Sequence, residues 1–287
     1  MSVKSLHDII LYNNMIYKRE NTLMRFVYPN GKEKALTFSY DDAQYYDREL
    51  VAIFNKYNMK ATFHLNSGTL GGDIFIKKEE VKDLYKGHEI AVHGVDHKNL
   101  PGLTDPLKVH EVWEDRKNLE EITGGFVQGM SYAFGRYSDE IITLLKSLGI
   151  KYSRTVNSTS EYYPPNDFMA WHPTCHHGHP NLMNLGKNFL NVPDYVELPL
   201  MYVWGHSFEF AGENGFEVIE KFCELMTGKD DIWYATNIEI CEYITATRSL
   251  EFTADTKTVK NPTSITVFYK EGNEVKQIPG GSVITLA

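Results

Sequence analysis

From Lys34 onward the chain alternates short apolar runs with amphipathic segments, and this rhythm constrains the fold more than any other feature. Ala35-Leu-Thr-Phe-Ser-Tyr40 reads as a buried strand. A helix follows over Arg48–Tyr57, capped by Asp47, with Leu50, Val51, Phe54 and Tyr57 on one face. Ala61–Leu65 is a second strand, Lys78–Lys86 a helix stopped by Gly87, and Glu89–His93 a third strand. A helix over Leu107–Ile122, a strand over Phe126–Ser131, a helix over Asp139–Leu148 capped by Ser138 and a strand over Ile150–Arg154 continue the series. Residues 156–193 interrupt it with a long polar loop; strands at Val196–Trp204 and Ile232–Ala235 and helices at Phe216–Thr227 and Ile238–Ala246 then resume it. Alternation of this kind predicts an α/β fold with a mainly parallel sheet. About seven strand–helix pairs suit an incomplete (β/α)7 barrel better than an open doubly wound sheet.

The flanks differ in texture. Residues 1–30 form an N-terminal extension without a clear period, 31–248 the barrel, and 249–287 a small antiparallel β appendage of short strands and tight turns. An appendage of this size folds poorly alone, so it should pack on the barrel or on a neighbouring subunit, which would give a route to a homo-oligomer. Lys and Arg number 29 against 38 Asp and Glu, a net charge of −9, with no dense basic block. A nucleic-acid partner is therefore not expected, because phosphate binding needs a basic footprint. No run of about 18 apolar residues exists, so no membrane span is expected either. Asp8, Asn13 and Asn14 interrupt the N-terminal segment and make it a poor signal peptide; three scattered cysteines, Cys175, Cys223 and Cys241, read as free thiols. Together these give the expectation of a cytoplasmic protein.

Two strand tips carry the chemistry. Asp41-Asp42 follows the first apolar strand, and His93-Gly-Val-Asp-His97 follows the third. Two imidazoles and a carboxylate make a facial site for a divalent metal with coordination positions left open. Successive side chains on a strand point opposite ways, so one aspartate can bind metal while its neighbour faces a bound water and acts as base. In barrels of this kind chemistry sits at the C-terminal ends of strands, and Asp41, Asp42, His93 and His206 all fall there. The loop Trp171-His-Pro-Thr-Cys-His-His-Gly-His179 could hold a second metal, but its composition reads better as substrate contact, through His172 among others. Trp171 and Trp204 could each stack on a sugar ring.

These motifs resemble those of the polysaccharide deacetylase family, the NodB-homology group of carbohydrate esterases, over roughly residues 33–245. The family's TFDDG appears here as Thr37-Phe-Ser-Tyr-Asp41-Asp42-Ala43, and its H-[S/T]-x-x-H as His93-Gly94-Val95-Asp96-His97. The resemblance implies that Asp41 is the general base and that Asp42, His93 and His97 bind the metal, zinc by default, with Co2+, Ni2+ or Fe2+ as alternatives. The family's RxPY motif is altered: Ser131 of Met130-Ser-Tyr-Ala-Phe-Gly135 stands where an arginine orients the base. Arg154, at the end of the next strand, is the candidate replacement, with Arg136 as the alternative. A strand ending in histidine supplies the family's general acid, and Leu200-Met-Tyr-Val-Trp-Gly-His206 fits it.

The implied activity is metal-dependent removal of acetyl groups from an acetylated carbohydrate, the oxyanion helped by a backbone N–H near Phe134. Two other readings stand beside it. One is hydrolysis of a small non-peptide amide or other small acylated substrate on the same scaffold. The other is a catalytically inactive carbohydrate-binding relative.

Overall fold

The computed structural model describes residues 18–19, 22–211 and 215–286; of the N-terminal extension, residues 1–17 and 20–21 lie outside the described residues. Two short strands, β1 (Lys18–Arg19) and β2 (Thr22–Val27), precede the expected series. The series itself is β3 (Lys34–Asp41), α1 (Asp47–Lys56), β4 (Ala61–Leu65), α2 (Val81–Leu84), β5 (Glu89–Val92), α3 (Asp105–Thr123), β6 (Gly129–Ser131), α4 (Asp139–Ser147) and β7 (Tyr152–Arg154). It continues through β8 (Cys175–His176), α5 (Leu182–Leu190), β9 (Leu200–His206), α6 (Glu217–Met226), β10 (Ile232–Tyr234) and α7 (Asn237–Arg248). Neighbouring strands run in the order β7-β6-β5-β4-β3-β9-β8. Each ladder along this path is parallel, giving a half-barrel of seven strands, an incomplete (β/α)7 barrel.

The apolar runs become strands because both faces of a parallel sheet are covered, so every position of β3 and β4 is buried. Helix α1 lays Leu50, Val51, Ile53 and Phe54 against this sheet, with the Phe54 ring 4.7 Å from that of Phe38. Asp47 does not cap α1 through its side chain. It is the first residue of the helix and is buried, and its carboxylate accepts a hydrogen bond from the Tyr85 hydroxyl at 2.6 Å. Ser138 does cap α4, accepting from the Ile141 N–H. The stretch 156–193 is not one long loop. It contains β8, only two residues long, and α5; a strand so short and so polar carries no readable period.

Ala35–Asp230 with Tyr234–Cys241 form one compact unit. The described residues up to Lys34, together with Asp231–Trp233 and the chain from Glu242 onward, form the other. In this second unit β2 pairs antiparallel with β13 (Val267–Glu271), which forms a hairpin with β14 (Glu274–Ile278) around Gly272. The segments before and after the barrel thus share one sheet. The Tyr243 hydroxyl joins its strands, donating to the Val27 carbonyl at 2.5 Å and accepting from the Phe268 N–H at 3.0 Å. β11 (Glu251–Phe252), β12 (Thr258–Lys260) and β15 (Val283–Thr285) make a separate three-stranded sheet. Among the described residues no helix is long and apolar enough to cross a membrane, and the three cysteines are buried and form no disulfide.

Candidate functional site

Strand β3 ends at Asp41, and the chain then turns sharply: Asp42 and Ala43 have φ of 81° and 56°. Non-glycine residues in this left-handed region cost of order 1–3 kcal/mol each, and such strain collects where a side chain must be aimed. The turn sends the two carboxylates in different directions. Asp42 Oδ1 lies 3.5 Å from His93 Nε2 and 3.8 Å from His97 Nε2. The three ligand atoms lie within 4.8 Å of one another. Asp42 Oδ1 is buried without a hydrogen-bond donor among the described residues. A buried acceptor facing two imidazole nitrogens is the environment a divalent cation satisfies, so these residues fit a metal.

Groups around the histidines set their orientation. His93 Nδ1 lies 2.7 Å from the Ser131 hydroxyl and 3.0 Å from the Ser131 carbonyl; as a donor there it leaves the Nε2 lone pair free toward Asp42. Burial pushes the His93 pKa down to about 3, which keeps the ring neutral. The backbone of the His93–His97 loop is held from helix α3. Asp115 accepts from the N–H groups of Ser67, His93 and Gly94 at 2.7, 3.0 and 2.9 Å. One turn earlier, Glu111 accepts from Asp96 and Lys98 at 3.0 and 2.8 Å. Gly94, which replaces the family's hydroxyl residue, has φ of 90°, and a Cβ there would stand 2.8 Å from Glu111 Oε1. These two acids of α3 brace the backbone of the loop.

Asp41 sits on the other side of the turn and is nearly sealed, 3% exposed. The Arg154 guanidinium forms a direct ion pair with its Oδ2. Its Oδ1 accepts from the Ser131 hydroxyl at 3.2 Å and lies 3.3 Å from His64 Nδ1. Burial alone would raise the pKa of this carboxyl, but Arg154, His93 and His64 outweigh it and hold it well below the usual carboxylate range. Ser131 thus bridges Asp41 and His93 through its hydroxyl, while Arg154 reaches Asp41 from the next strand. The guanidinium carbon lies 4.3 Å from the centre of the Trp204 ring, a cation–π floor beneath the ion pair.

His206 ends β9 in register with Asp41. Its backbone N–H donates to Glu209 Oε2 at 2.8 Å, and its Nδ1 lies 3.3 Å from the same oxygen. Burial lowers the His206 pKa, but Glu209 and the Asp41 and Asp42 carboxylates more than reverse this and raise it. The Phe134 ring is 61% exposed and packs edge-on against His97 at 4.6 Å, on a backbone with φ of 58°.

The three side chains expected to touch substrate, Trp171, Trp204 and His172, are each engaged within the protein. Trp171 is 1% exposed and enclosed by Tyr152, Phe168 and Tyr202, so neither ring face is free to stack on a sugar. Trp204 is 8% exposed and covered by Arg154. His172 turns to Thr155, with Nδ1 2.5 Å from the hydroxyl. Arg136, the alternative partner for Asp41, lies in the turn after Phe134, and Arg154 makes the contact instead.

Several residues of this site drew no attention from sequence. His64 looks like any residue of an apolar strand. Glu111 and Asp115 look like the solvated face of a helix, although their i, i+4 spacing just after a His-x-x-x-His loop was a usable signal. Glu209, three residues after His206, was a second.

Residues 28–153 match the family described as polysaccharide deacetylase. A curated relative from Bacillus subtilis, "Putative polysaccharide deacetylase YxkH", is 27% identical over 134 residues, which are 46% of this chain and 48% of that protein. The chain therefore spans about half the length of the curated relative it matches. Among solved structures, one titled "Crystal structure of putative polysaccharide deacetylase from Mycobacterium smegmatis" superposes with a TM-score of 0.58 at 18% identity, over 78% of this chain and 94% of the other. The "Puue Allantoinase" superposes with a TM-score of 0.59 at 13% identity, over 75% and 91%. Both likenesses are of the fold. The resemblance carried by the Asp-Asp and His-x-x-x-His motifs is thereby borne out: residues 28–153 carry a match to the polysaccharide deacetylase family.

Proposed function

We propose that the protein is a metal-dependent hydrolase that removes acetyl groups from an acetylated carbohydrate. The observation that carries this reading is the split at the end of β3. Asp42 offers a buried, unsatisfied oxygen to two imidazoles, while Asp41, next in the chain, is kept ionised by Arg154. Asp42, His93 and His97 would hold the divalent ion, with zinc as the default for two histidines and a carboxylate. Such an ion supplies Lewis-acid polarisation of the acyl carbonyl and lowers the pKa of a nearby water.

The chain's own residues supply the rest. Asp41 accepts the proton from the attacking water, and Arg154 and Ser131 fix the direction in which its lone pairs point. The acyl carbon–nitrogen or carbon–oxygen bond then breaks. His206, held through its backbone N–H by Glu209, donates a proton to the departing sugar amine or hydroxyl. Acetate and the free sugar group are the products. Phe134 offers an apolar wall beside His97, suited to an acetyl methyl and to excluding bulk water.

The experiment is metal content by elemental analysis, together with acetate release from a panel of acetylated oligosaccharides and small acylated amides. Chelation should abolish release and zinc should restore it. Asp41→Asn should keep the metal and lose about 10²–10⁴ in rate. Release from the small amides alone would remove carbohydrate from the reading. Unchanged activity in Asp41→Asn would remove Asp41 from the mechanism.

A further inference from the structure

Beside the proposed centre, Glu209 gathers three imidazoles around a single oxygen. Its Oε2 lies 3.0 Å from His176 Nε2, 3.3 Å from His206 Nδ1 and 3.6 Å from His177 Nε2, and also takes the His206 backbone N–H at 2.8 Å. Two of these contacts are hydrogen bonds, from His176 Nε2 and the His206 N–H, and they fill the oxygen's two lone-pair sites, so His206 Nδ1 is left without a hydrogen-bond partner among the described residues. His177 is 4% exposed, clamped between Phe210 and Tyr40 with ring centres at 4.2 and 5.7 Å. Gly205 permits this pose, since a Cβ there would come within 2.0 Å of His177 Nδ1. That Nδ1 has no hydrogen-bond partner among the described residues, and the 3.6 Å from Nε2 to Glu209 is too long for a hydrogen bond. Ligands on a tetrahedral ion about 2.1 Å away stand roughly 3.4 Å apart, close to the spacings seen here. His176, His206 and Glu209 also bring one ligand atom each within 4.8 Å of one another. Their side chains are 24–32% exposed, which leaves a path for an ion from solvent.

We propose that His176, His206 and Glu209, with His177 behind them, form a second divalent-cation site that shares the candidate proton donor and is inhibitory when filled. An ion on His206 Nδ1 takes the lone pair that would hold the second proton of the imidazolium, and leaves the Nε2–H a much weaker acid toward the leaving group. Excess zinc would thus stop turnover without touching Asp42, His93 or His97. The inhibitory half rests on the deacetylase reading above; the binding half does not.

The test is zinc titration of the metal-stripped full-length protein, with stoichiometry read by elemental analysis after equilibrium dialysis. The wild type should bind two equivalents, the second more weakly. His176→Ala and the nearly isosteric Glu209→Gln should each lose the weak equivalent and keep the tight one; Asp42→Ala should do the reverse. Glu209→Gln keeps the test decisive should His176→Ala fail to fold. A single equivalent in the wild type, or a second that survives both substitutions at the cluster, overturns the site. In the acetate-release assay, excess zinc should slow the wild type by about a hundredfold and His176→Ala not at all, each relative to its own rate at one equivalent. A filled second site with undiminished turnover overturns the inhibition. Were no substrate hydrolysed, the deacetylase reading would fail while the stoichiometry still decided the site.

Discussion

Asp41 and Asp115 are both buried carboxylates that touch His93, one from the side of its ring and one from the side of its backbone. Their protonation goes opposite ways. Burial pushes Asp115 up to about 7 despite three N–H donors, whereas Arg154, His93 and His64 carry Asp41 well below the ordinary range against the same burial. The difference lies in the partners. Here three backbone dipoles do not offset the burial of Asp115, whereas the full positive charge of Arg154 helps to offset that of Asp41. One pocket keeps its carboxylate charged, and the other holds a loop in shape.

The largest effect expected on this contrast comes from Arg154→Met. It leaves Asp41 buried and unpaired, and denaturant unfolding at neutral pH should show a loss of about 3–5 kcal/mol. Adding Asp41→Asn should recover part of that loss; a strictly additive double variant would mean that the pair is not coupled. Asp115→Ala should cost less, about 1–3 kcal/mol, by stranding three amide donors. It should also weaken zinc binding by about 10–100-fold, because it releases the backbone that aims His93. Wild-type zinc affinity in this variant would leave Asp115 a purely structural acid.

The dependence on pH separates the two pockets by sign. In the unfolded chain Asp titrates near 3.9. Between about pH 4 and 7, native Asp115 keeps a proton that the unfolded chain has released, so its contribution to stability falls as pH rises through that window. Asp47 and Glu89, also pushed up to about 7, add to the same trend. Asp41 behaves oppositely: its stabilising share is present above the unfolded pKa and is lost as pH drops toward its lowered native value. Urea midpoints at pH 5 and 8 should therefore favour pH 5, and Asp115→Asn should narrow the gap. A wider gap in that variant would reverse the assignment. The smallest effect belongs to Ser131→Ala, about 1 kcal/mol, from losing the hydroxyl between Asp41 and His93. Its more telling readout is a weakened response of activity to zinc.

The sequence carried the barrel well because its strands are continuous apolar runs and glycines with left-handed φ, such as Gly87, Gly124 and Gly149, end the helices. It carried the strand tips too, since two motifs of unusual residues follow two of those runs. What it hid was polar burial. Lys108, Glu111 and Asp115 are buried on α3, so charged residues occupy core-facing positions and blur the apolar stripe that marks an inward face. Ser131 was seen only as a missing arginine, because its two partners are 38 and 90 residues away in sequence. Trp171 and Trp204 misled in the other direction: large aromatics in a polar stretch suggested sugar contact, and packing claimed both.

Phe26 of β2 sits opposite Tyr269 of β13, a residue made 243 positions later (269 − 26). During translation β2 leaves the ribosome long before the hairpin that completes its sheet. Until then it presents a bare ladder of amides to whatever else is nearby. Slow synthesis, or a stall ahead of Val267, would thus favour off-pathway pairing of nascent chains. Recombinant yield should depend on chaperone supply more than the barrel alone would suggest.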